Sequence, residues 1–334
     1  MSLKAINAVV SNAYGGMYNV VGRYAEVLRS LNHEVINVGI GSGHTSDRYD
    51  YIIKNSGHYD LVAKLRTAKL LKESQAKFVF CHCSRSVSLF STFKKKCLIV
   101  AVPHTLNTKR FLKADYFIAI SNTVQENLLQ SGVPEENITL IYNSVRLVVP
   151  KTKKFNKNST IYFGYIGRLD ANKNIEFLLN LMVRFKEKGL KAKCIIAGNG
   201  PHENYLKAMV ESLDLKANVE FEGWIEKEDF YKRIDYMMFP SNSEVMPLAI
   251  IEAFACGVPV ITNRFNGFGD PFNEINLFVM DNLRIDEWAK SFLKIISDDT
   301  RIESVIENAK ATYDKYFSEL VIRDRLKDLL QKWN

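Results

Sequence analysis

The feature that most constrains this chain is a repeated alternation of short apolar runs with stretches of helical period. Such a pattern dictates parallel strands joined by helices that cover both faces of a sheet. In the first half, residues 6–10, 35–38, 78–83, 97–102 and 116–120 read as buried strands. Residues 17–31 read as an amphipathic helix with Val20, Val21, Tyr24, Val27, Leu28 and Leu31 on one face. Between Arg146 and Ser159 the period vanishes, and the polar, basic, proline-containing stretch 148–158 reads as a linker. The rhythm then restarts, with strands expected at 160–166, 192–197, 219–221, 236–239 and 258–262. Helices are expected at 175–188, 203–213 and 248–255. With 334 residues the chain is long enough for about two domains. The α/β reading is therefore two Rossmann-like, doubly wound domains. Residues 1–150 form the first and 151–316 the second, and the amphipathic segment 317–334 ends the chain.

Charge separates the two halves. Residues 1–150 carry 18 basic and 10 acidic residues, whereas the remainder carries 27 of each, so the whole excess of +8 sits in the first half. Clusters at 94–96 and at Lys109, Arg110 and Lys113 suit an anionic membrane surface or acceptor, or simply a solvated basic face. No recognition motif points to nucleic acid. No run approaches the ~20 apolar residues of a membrane span, and the first residues do not resemble a signal peptide. These features point to a cytoplasmic protein. Five cysteines, an odd number within apolar segments, suit buried thiols better than disulfides. Cys81-His82-Cys83 invites a zinc reading, but along a strand over 78–83 His82 would face away from both cysteines. No metal site is expected.

Four features of the second half can carry chemistry. Gly167-Arg168-Leu169-Asp170 follows a strand, with Lys173 at a helix start. Free backbone N–H groups, Arg168 and Lys173 together suit a diphosphate, although a surface turn could hold the same residues. Gly198-Asn199-Gly200-Pro201 is a second glycine turn where backbone and ligand could approach. The third segment runs from Ser241 through Glu244, Val245, Met246 and Pro247 into the apolar helix of Leu248 and Glu252. Pro247 fits the first helical position and Gly257 the C-terminal cap. A carboxylate among apolar neighbours needs donors, and Glu252 could find them in a ribose diol or in an internal ion pair. The fourth, residues 266–270, could be a plain loop at the same sheet edge. In the first half, Gly15-Gly16 joins the first strand to the first helix, but the segment lacks the dinucleotide fingerprint and so disfavours an oxidoreductase. His104 lies just past a strand end, where catalytic and structural roles are both open.

With these residues assembled, the chain resembles the retaining glycosyltransferases of family 4, which have the GT-B fold. Glu244 and Glu252 stand in P-S-x-x-E-x-x-x-L-x-x-x-E-A-x-A-x-G-x-P-V, accompanied by G-R-L-x-x-x-K, G-N-G-P, F-x-G-W and an early G-G. The segments 114–121 and 140–145 match as well, so the resemblance spans nearly the whole chain. It implies two domains facing a central cleft that holds the reaction site. Arg168 and Lys173 would bind the donor diphosphate, and Glu252 the ribose. Glu244 and His104 would lie near the transferred sugar. Gly15, Gly16, Gly167, Gly198, Asn199 and the amides of Val245, Met246, Pro247 and Leu248 would line the donor. The last helix would cross back to the first domain.

The resemblance implies a nucleotide-sugar donor, most simply a UDP-sugar, and a glycan or lipid-linked acceptor. The setting would be polysaccharide or lipopolysaccharide assembly at the inner membrane face. No D-x-D motif is present, so Arg168 and Lys173 would take a metal's place and no cofactor is expected. Three departures stand out: Val245-Met246-Pro247 replaces the usual G-F-G, Asn174 replaces the glycine after the lysine, and the segment 267–274 is shorter and less regular than the common G-G-x-x-E-I-I form. Two alternatives share the scaffold, a nucleotide-sugar epimerase and a non-catalytic binding protein.

Overall fold

The computed structural model describes residues 3–12, 15–41, 49–57, 60–146, 159–241, 243–269, 271–281 and 283–333. The expected linker 148–158 lies outside them, as do Asn242 and Asp270. The chain divides into two compact units, Met1–Ser144 with Glu319–Asn334, and Val145–Ser318.

In the first unit the strands are β1 (Lys4–Val10), β2 (Glu34–Ile40), β3 (Tyr51–Ile53), β4 (Phe78–Cys81), β5 (Leu98–Ala101), β6 (Tyr116–Ala119) and β7 (Ile138–Leu140). The helices are α1 (Gly16–Ser30), α2 (Leu61–Ser74), α3 (Ser84–Phe90) and α4 (Asn122–Gln130). All strands are parallel, in the order β3-β2-β1-β4-β5-β6-β7. Ala5, Ile6, Ala8 and Val9 of β1 are all buried, as expected of a parallel strand covered on both faces. The chain reverses direction across the sheet between β1 and β4.

The second unit repeats the plan with β8 (Ile161–Ile166), β9 (Ala192–Ala197), β10 (Val219–Gly223), β11 (Tyr236–Phe239), β12 (Val260–Asn263) and β13 (Phe278–Met280). Its helices are α5 (Ile175–Glu187), α6 (Glu203–Ser212), α7 (Lys227–Arg233), α8 (Leu248–Cys256), α9 (Ile285–Ile295) and α10 (Asp299–Thr312). The order is β10-β9-β8-β11-β12-β13, again parallel, with the reversal between β8 and β11. Phe163 anchors the core, its ring centroid 5.0 Å from that of Phe185 and 4.9 Å from that of Phe292. Both units are thus Rossmann-like. In such sheets ligands bind outside the carboxyl ends of the strands at the reversal.

The last helix, α11 (Glu319–Lys332), belongs to the first unit. Glu319 pairs with Arg23 of α1 at 3.2 Å, and the Trp333 ring lies 5.6 Å from Phe78 and 5.0 Å from Tyr116.

Two local expectations are corrected. The strand expected over 78–83 ends at Cys81, because Cys83 turns away as the N-cap of α3, its Sγ accepting from the Ser86 amide. Alternation therefore does not decide where His82 points. Pro247 is the N-cap of α8 rather than its first residue, at ψ 105°, and its carbonyl accepts from the Ile250 amide at 3.1 Å. All five cysteines are buried and outside any disulfide. Among the described residues no helix is long and apolar enough to cross a membrane.

Candidate functional site

The β8–α5 turn leaves the sheet at its reversal. Leu169 is fully buried and pins the turn to the core, so its neighbour Arg168 is thrown outward, with its side chain 70% exposed. The Arg168 Nε lies 3.3 Å from Asp170. Asp170 also accepts from the Asn172 amide at 3.2 Å, which holds the turn shut. Asn174 then takes a left-handed φ of 52° and donates its side-chain amide to the Pro240 carbonyl at 2.8 Å. Asparagine tolerates this backbone better than other non-glycine residues, and the hydrogen bond gives it a purpose that glycine could not serve.

The second glycine turn is packed against the first. The Leu169 amide donates to the Asn199 carbonyl at 3.1 Å, and the Gly167 amide to Ala197 at 3.0 Å. A Cβ on Gly198 would stand 1.9 Å from the Gly167 carbonyl oxygen, and one on Gly200 2.1 Å from that of Leu169. Close approach of two turns, rather than of backbone to ligand alone, therefore requires these glycines.

Across the reversal, the β11–α8 loop brings Glu244 to Lys173. Its Oε1 accepts from the Lys173 Nζ, and from Ser241 Oγ at 3.4 Å. The Glu244 carbonyl accepts from the Gly267 amide at 2.8 Å, and a Cβ on Gly267 would meet the Val245 carbonyl oxygen at 2.2 Å. The loop over 264–269 thus braces the segment of Val245, Met246 and Pro247.

Glu252, on α8, is only 3% exposed. Burial pushes its carboxyl up from the usual range, opposed by two partners. Lys227 Nζ donates to Oε1, and the single Tyr231 hydroxyl proton is shared between Oε2 at 3.2 Å and the Ala249 carbonyl at 2.9 Å. Lys227 and Tyr231 are four apart on α7 and so share a helix face. The internal ion pair is therefore real. A carboxylate has about four lone-pair positions, and these partners use only part of that capacity. Neither partner was legible in the sequence, because nothing local links 227 and 231 to 252.

In the first unit, Gly15 caps α1 at φ 64°, and α1 begins at Gly16. His104 follows β5 and lines a cavity of about 270 Å³ with Met17, His82, Ser84, Asn107 and Arg110 among its walls. The His82 Nδ1 lies 3.1 Å from the His104 Nε2, and the His82 Nε2 lies 2.7 Å from the Asn7 Oδ1. Burial lowers the pKa of both imidazoles, His82 well below the usual range and His104 to about 4. Both are neutral near pH 7. The basic clusters are only partly free: Lys94 pairs with Asp115 at 2.9 Å and donates to the Ala114 carbonyl.

Within the second unit, then, Arg168, Lys173, Glu244, Glu252, Gly167, Gly198 and Asn199 gather on turns and helices at the carboxyl edge of the sheet. Gly15, Gly16 and His104 occupy the corresponding edge of the first unit.

Comparison with known proteins agrees with this plan. Residues 150–312 match the family model of "Glycosyl transferases group 1" and residues 14–148 that of "Glycosyltransferase Family 4". An uncharacterized glycosyltransferase of Methanocaldococcus jannaschii is 27% identical over 217 residues, covering 60% of this chain and 55% of its own. The lipopolysaccharide 1,6-galactosyltransferase of Escherichia coli K12 is 24% identical over 215 residues, 58% of each chain. A capsular polysaccharide biosynthesis glycosyltransferase of Staphylococcus aureus is 26% identical over 229 residues, 64% of this chain and 60% of its own. The chain thus spans less than two thirds of the length of these relatives. Among solved structures, the Anabaena protein HepE in complex with UDP and glucose superposes with TM-score 0.81 at 17% identity, covering 99% of this chain and 100% of that one. An apo lipopolysaccharide outer core galactosyltransferase superposes with TM-score 0.77 at 18% identity over the whole of both chains. At these identities the likeness is one of fold. With two family models covering both halves in order, the chain belongs to the family 4 glycosyltransferases of the GT-B fold.

Proposed function

We propose that the chain transfers a sugar, with retention, from a nucleoside diphosphate donor to a glycan or lipid-linked acceptor in surface polysaccharide or lipopolysaccharide assembly. The observation that carries the reading is one sheet edge in the second unit. An outward Arg168 and the Lys173–Glu244 pair stand there with a buried Glu252 that has acceptor capacity to spare. A diphosphate answers the first, and a ribose diol the last. UDP is the nucleotide best supported, because the HepE structure of the same fold holds UDP.

The hard step is departure of the nucleoside diphosphate from the anomeric carbon. Positive charge fixed in advance at the leaving phosphate lowers that barrier without reorganisation. Arg168 supplies it directly. Lys173 supplies it on exchanging Glu244 for phosphate, and Glu244 is then free to accept from a sugar hydroxyl. With two cations placed there, the reaction needs no metal. Gly167, Gly198 and Asn199 shape the floor of the site, and the amides of Val245, Met246 and Leu248 face the donor.

Association with an anionic membrane surface is part of the proposal. Its support is the basic excess of the first half and the helix α2, where Leu61, Val62 and Leu65 are 70, 55 and 71% exposed beside Lys69 and Lys72. Apolar and cationic side chains sharing one exposed helix face suit a lipid interface. Failure of the protein to bind anionic vesicles at low salt would remove this part.

The test of the main reading is a calorimetric titration with UDP, GDP and NAD without added metal. UDP is expected to bind, and Glu252→Ala to abolish binding. Binding of NAD alone, or of no nucleotide, would overturn the assignment.

A further inference from the structure

The environment of His104 determines more than its place in the cavity. Asn7 lies on β1, and its side-chain nitrogen donates to the Val21 carbonyl at 2.8 Å and to the Asn37 Oδ1 at 3.1 Å. A carbonyl only accepts, so the orientation of this amide is fixed, and its oxygen is the atom that faces His82. The His82 Nε2, 2.7 Å away, must carry the proton of that hydrogen bond. His82 is buried and neutral, its ring edge-on to Tyr24 at 5.0 Å, so its Nδ1 bears a lone pair. That lone pair faces the His104 Nε2 at 3.1 Å, which must therefore be the protonated nitrogen of His104. The Nδ1 of His104 is left with a lone pair, and among the described residues it has no hydrogen-bond partner. The polarity of the chain from Val21 to His104 is thus set by one backbone carbonyl.

We propose that Asn7 and His82 are positioning residues that hold His104 in the Nε2–H tautomer, so that its Nδ1 accepts a hydrogen bond from a hydroxyl of the sugar or acceptor. The proposal rests on the transferase reading for the identity of the hydroxyl, but not for the tautomer. His104 in this state is an acceptor and not a cation, so it orients an alcohol rather than neutralising phosphate. Second partners of this kind fix which nitrogen of a histidine is available, and at metal-binding histidines their loss typically costs about 10- to 100-fold, the scale expected here.

Two measurements test this. Long-range ¹H–¹⁵N spectra of the full, nucleotide-free chain labelled at histidine report each ring nitrogen directly, with His104→Gln identifying the resonances. The expected result is a protonated Nε2 and an unprotonated Nδ1 at pH 7, and the reverse assignment would overturn the proposal whatever the activity. In the second, sugar transfer or donor hydrolysis and UDP affinity are followed in variants whose folding is checked by thermal melts. Asn7→Leu and His82→Leu are expected to lose roughly 10- to 100-fold in kcat while UDP affinity stays unchanged. His82→Gln presents an amide N–H to Asn7 and a carbonyl to His104, reproducing the polarity, and is expected to restore most of the rate. Equal losses in His82→Leu and His82→Gln would show that ring packing, not proton placement, is what matters. A full rate in His104→Ala would remove the hydroxyl contact.

Discussion

Lys227→Met offers a strict test of how Glu252 is held. The side chain of Glu252 is 4% exposed and that of Lys227 is 33% exposed. Removing one partner of a fully buried ion pair costs about 3–5 kcal/mol, because a charge is left without compensation. Here water reaches the lysine side, and the Tyr231 hydroxyl, shared with the Ala249 carbonyl, remains 3.2 Å from Oε2. We therefore expect a smaller loss, about 2–3 kcal/mol. For a unit of this size that corresponds to a fall of roughly 4–12 °C in the melting of the second unit. The loss should depend on pH. Burial already raises the Glu252 carboxyl, and removal of Lys227 raises it further. A carboxyl whose folded pKa lies above its unfolded value binds a proton on folding in that interval, so the folded state is disfavoured as pH rises. The penalty of Lys227→Met should be full near pH 8 and shrink toward pH 5. The assay is differential scanning calorimetry of wild type, Lys227→Met, Glu252→Leu and the double variant at both pH values. A double-mutant cycle should show that Lys227→Met costs little once Glu252 is leucine. An unchanged cost in that background, or one that ignores pH, would refute this account of the pair.

Other outcomes follow from the same geometry. Gly198→Ala would place a Cβ 1.9 Å from the Gly167 oxygen at a φ of +118°, so we expect a loss of about 2–3 kcal/mol in urea unfolding; a wild-type midpoint would contradict it. Arg168→Ala removes an exposed side chain and should leave stability within about 0.5 kcal/mol. It should nonetheless weaken UDP binding roughly tenfold by calorimetry, the worth of one charge-assisted hydrogen bond. His104, pushed to about 4, and His82 are neutral when folded but protonate in the unfolded chain near 6.5. The unfolded state therefore binds more protons below that pH, and stability should fall as pH drops from about 6.5 toward 4. The variant with both histidines changed to glutamine should show a flatter profile over that window, and an unaltered slope would exclude them as the cause.

How much of this was legible in sequence varies with the length and regularity of each element. The strand–helix rhythm carried the fold class because β1, β8 and β9 are apolar runs bounded by turn residues, each followed by a helix of clear period. α2 escaped notice because Leu61, Val62 and Leu65 are exposed while Ala63, Leu70 and Leu71 are buried, so apolar residues surround the helix and blur its period. β3, β7 and β13 have three residues each, too few to alternate visibly. Asn174 was noted as a departure, but its bond to the Pro240 carbonyl requires knowing that β8 and β11 are neighbours.

The sequence by itself determined two doubly wound units and which segments end at strand edges, because period and turn chemistry are local. It also placed Arg168, Lys173, Glu244 and Glu252 among the residues with unusual chemistry for their surroundings. Only the tertiary structure decided what each meets. Lys173 with Glu244, Lys227 and Tyr231 with Glu252, Asn7 with His82, and His82 with His104 are joined across 71, 25, 21, 75 and 22 residues. The charge state and the tautomer of a buried group depend on its immediate donors and acceptors, and here those come from strands, turns and helices distant in sequence that the sheet order brings together.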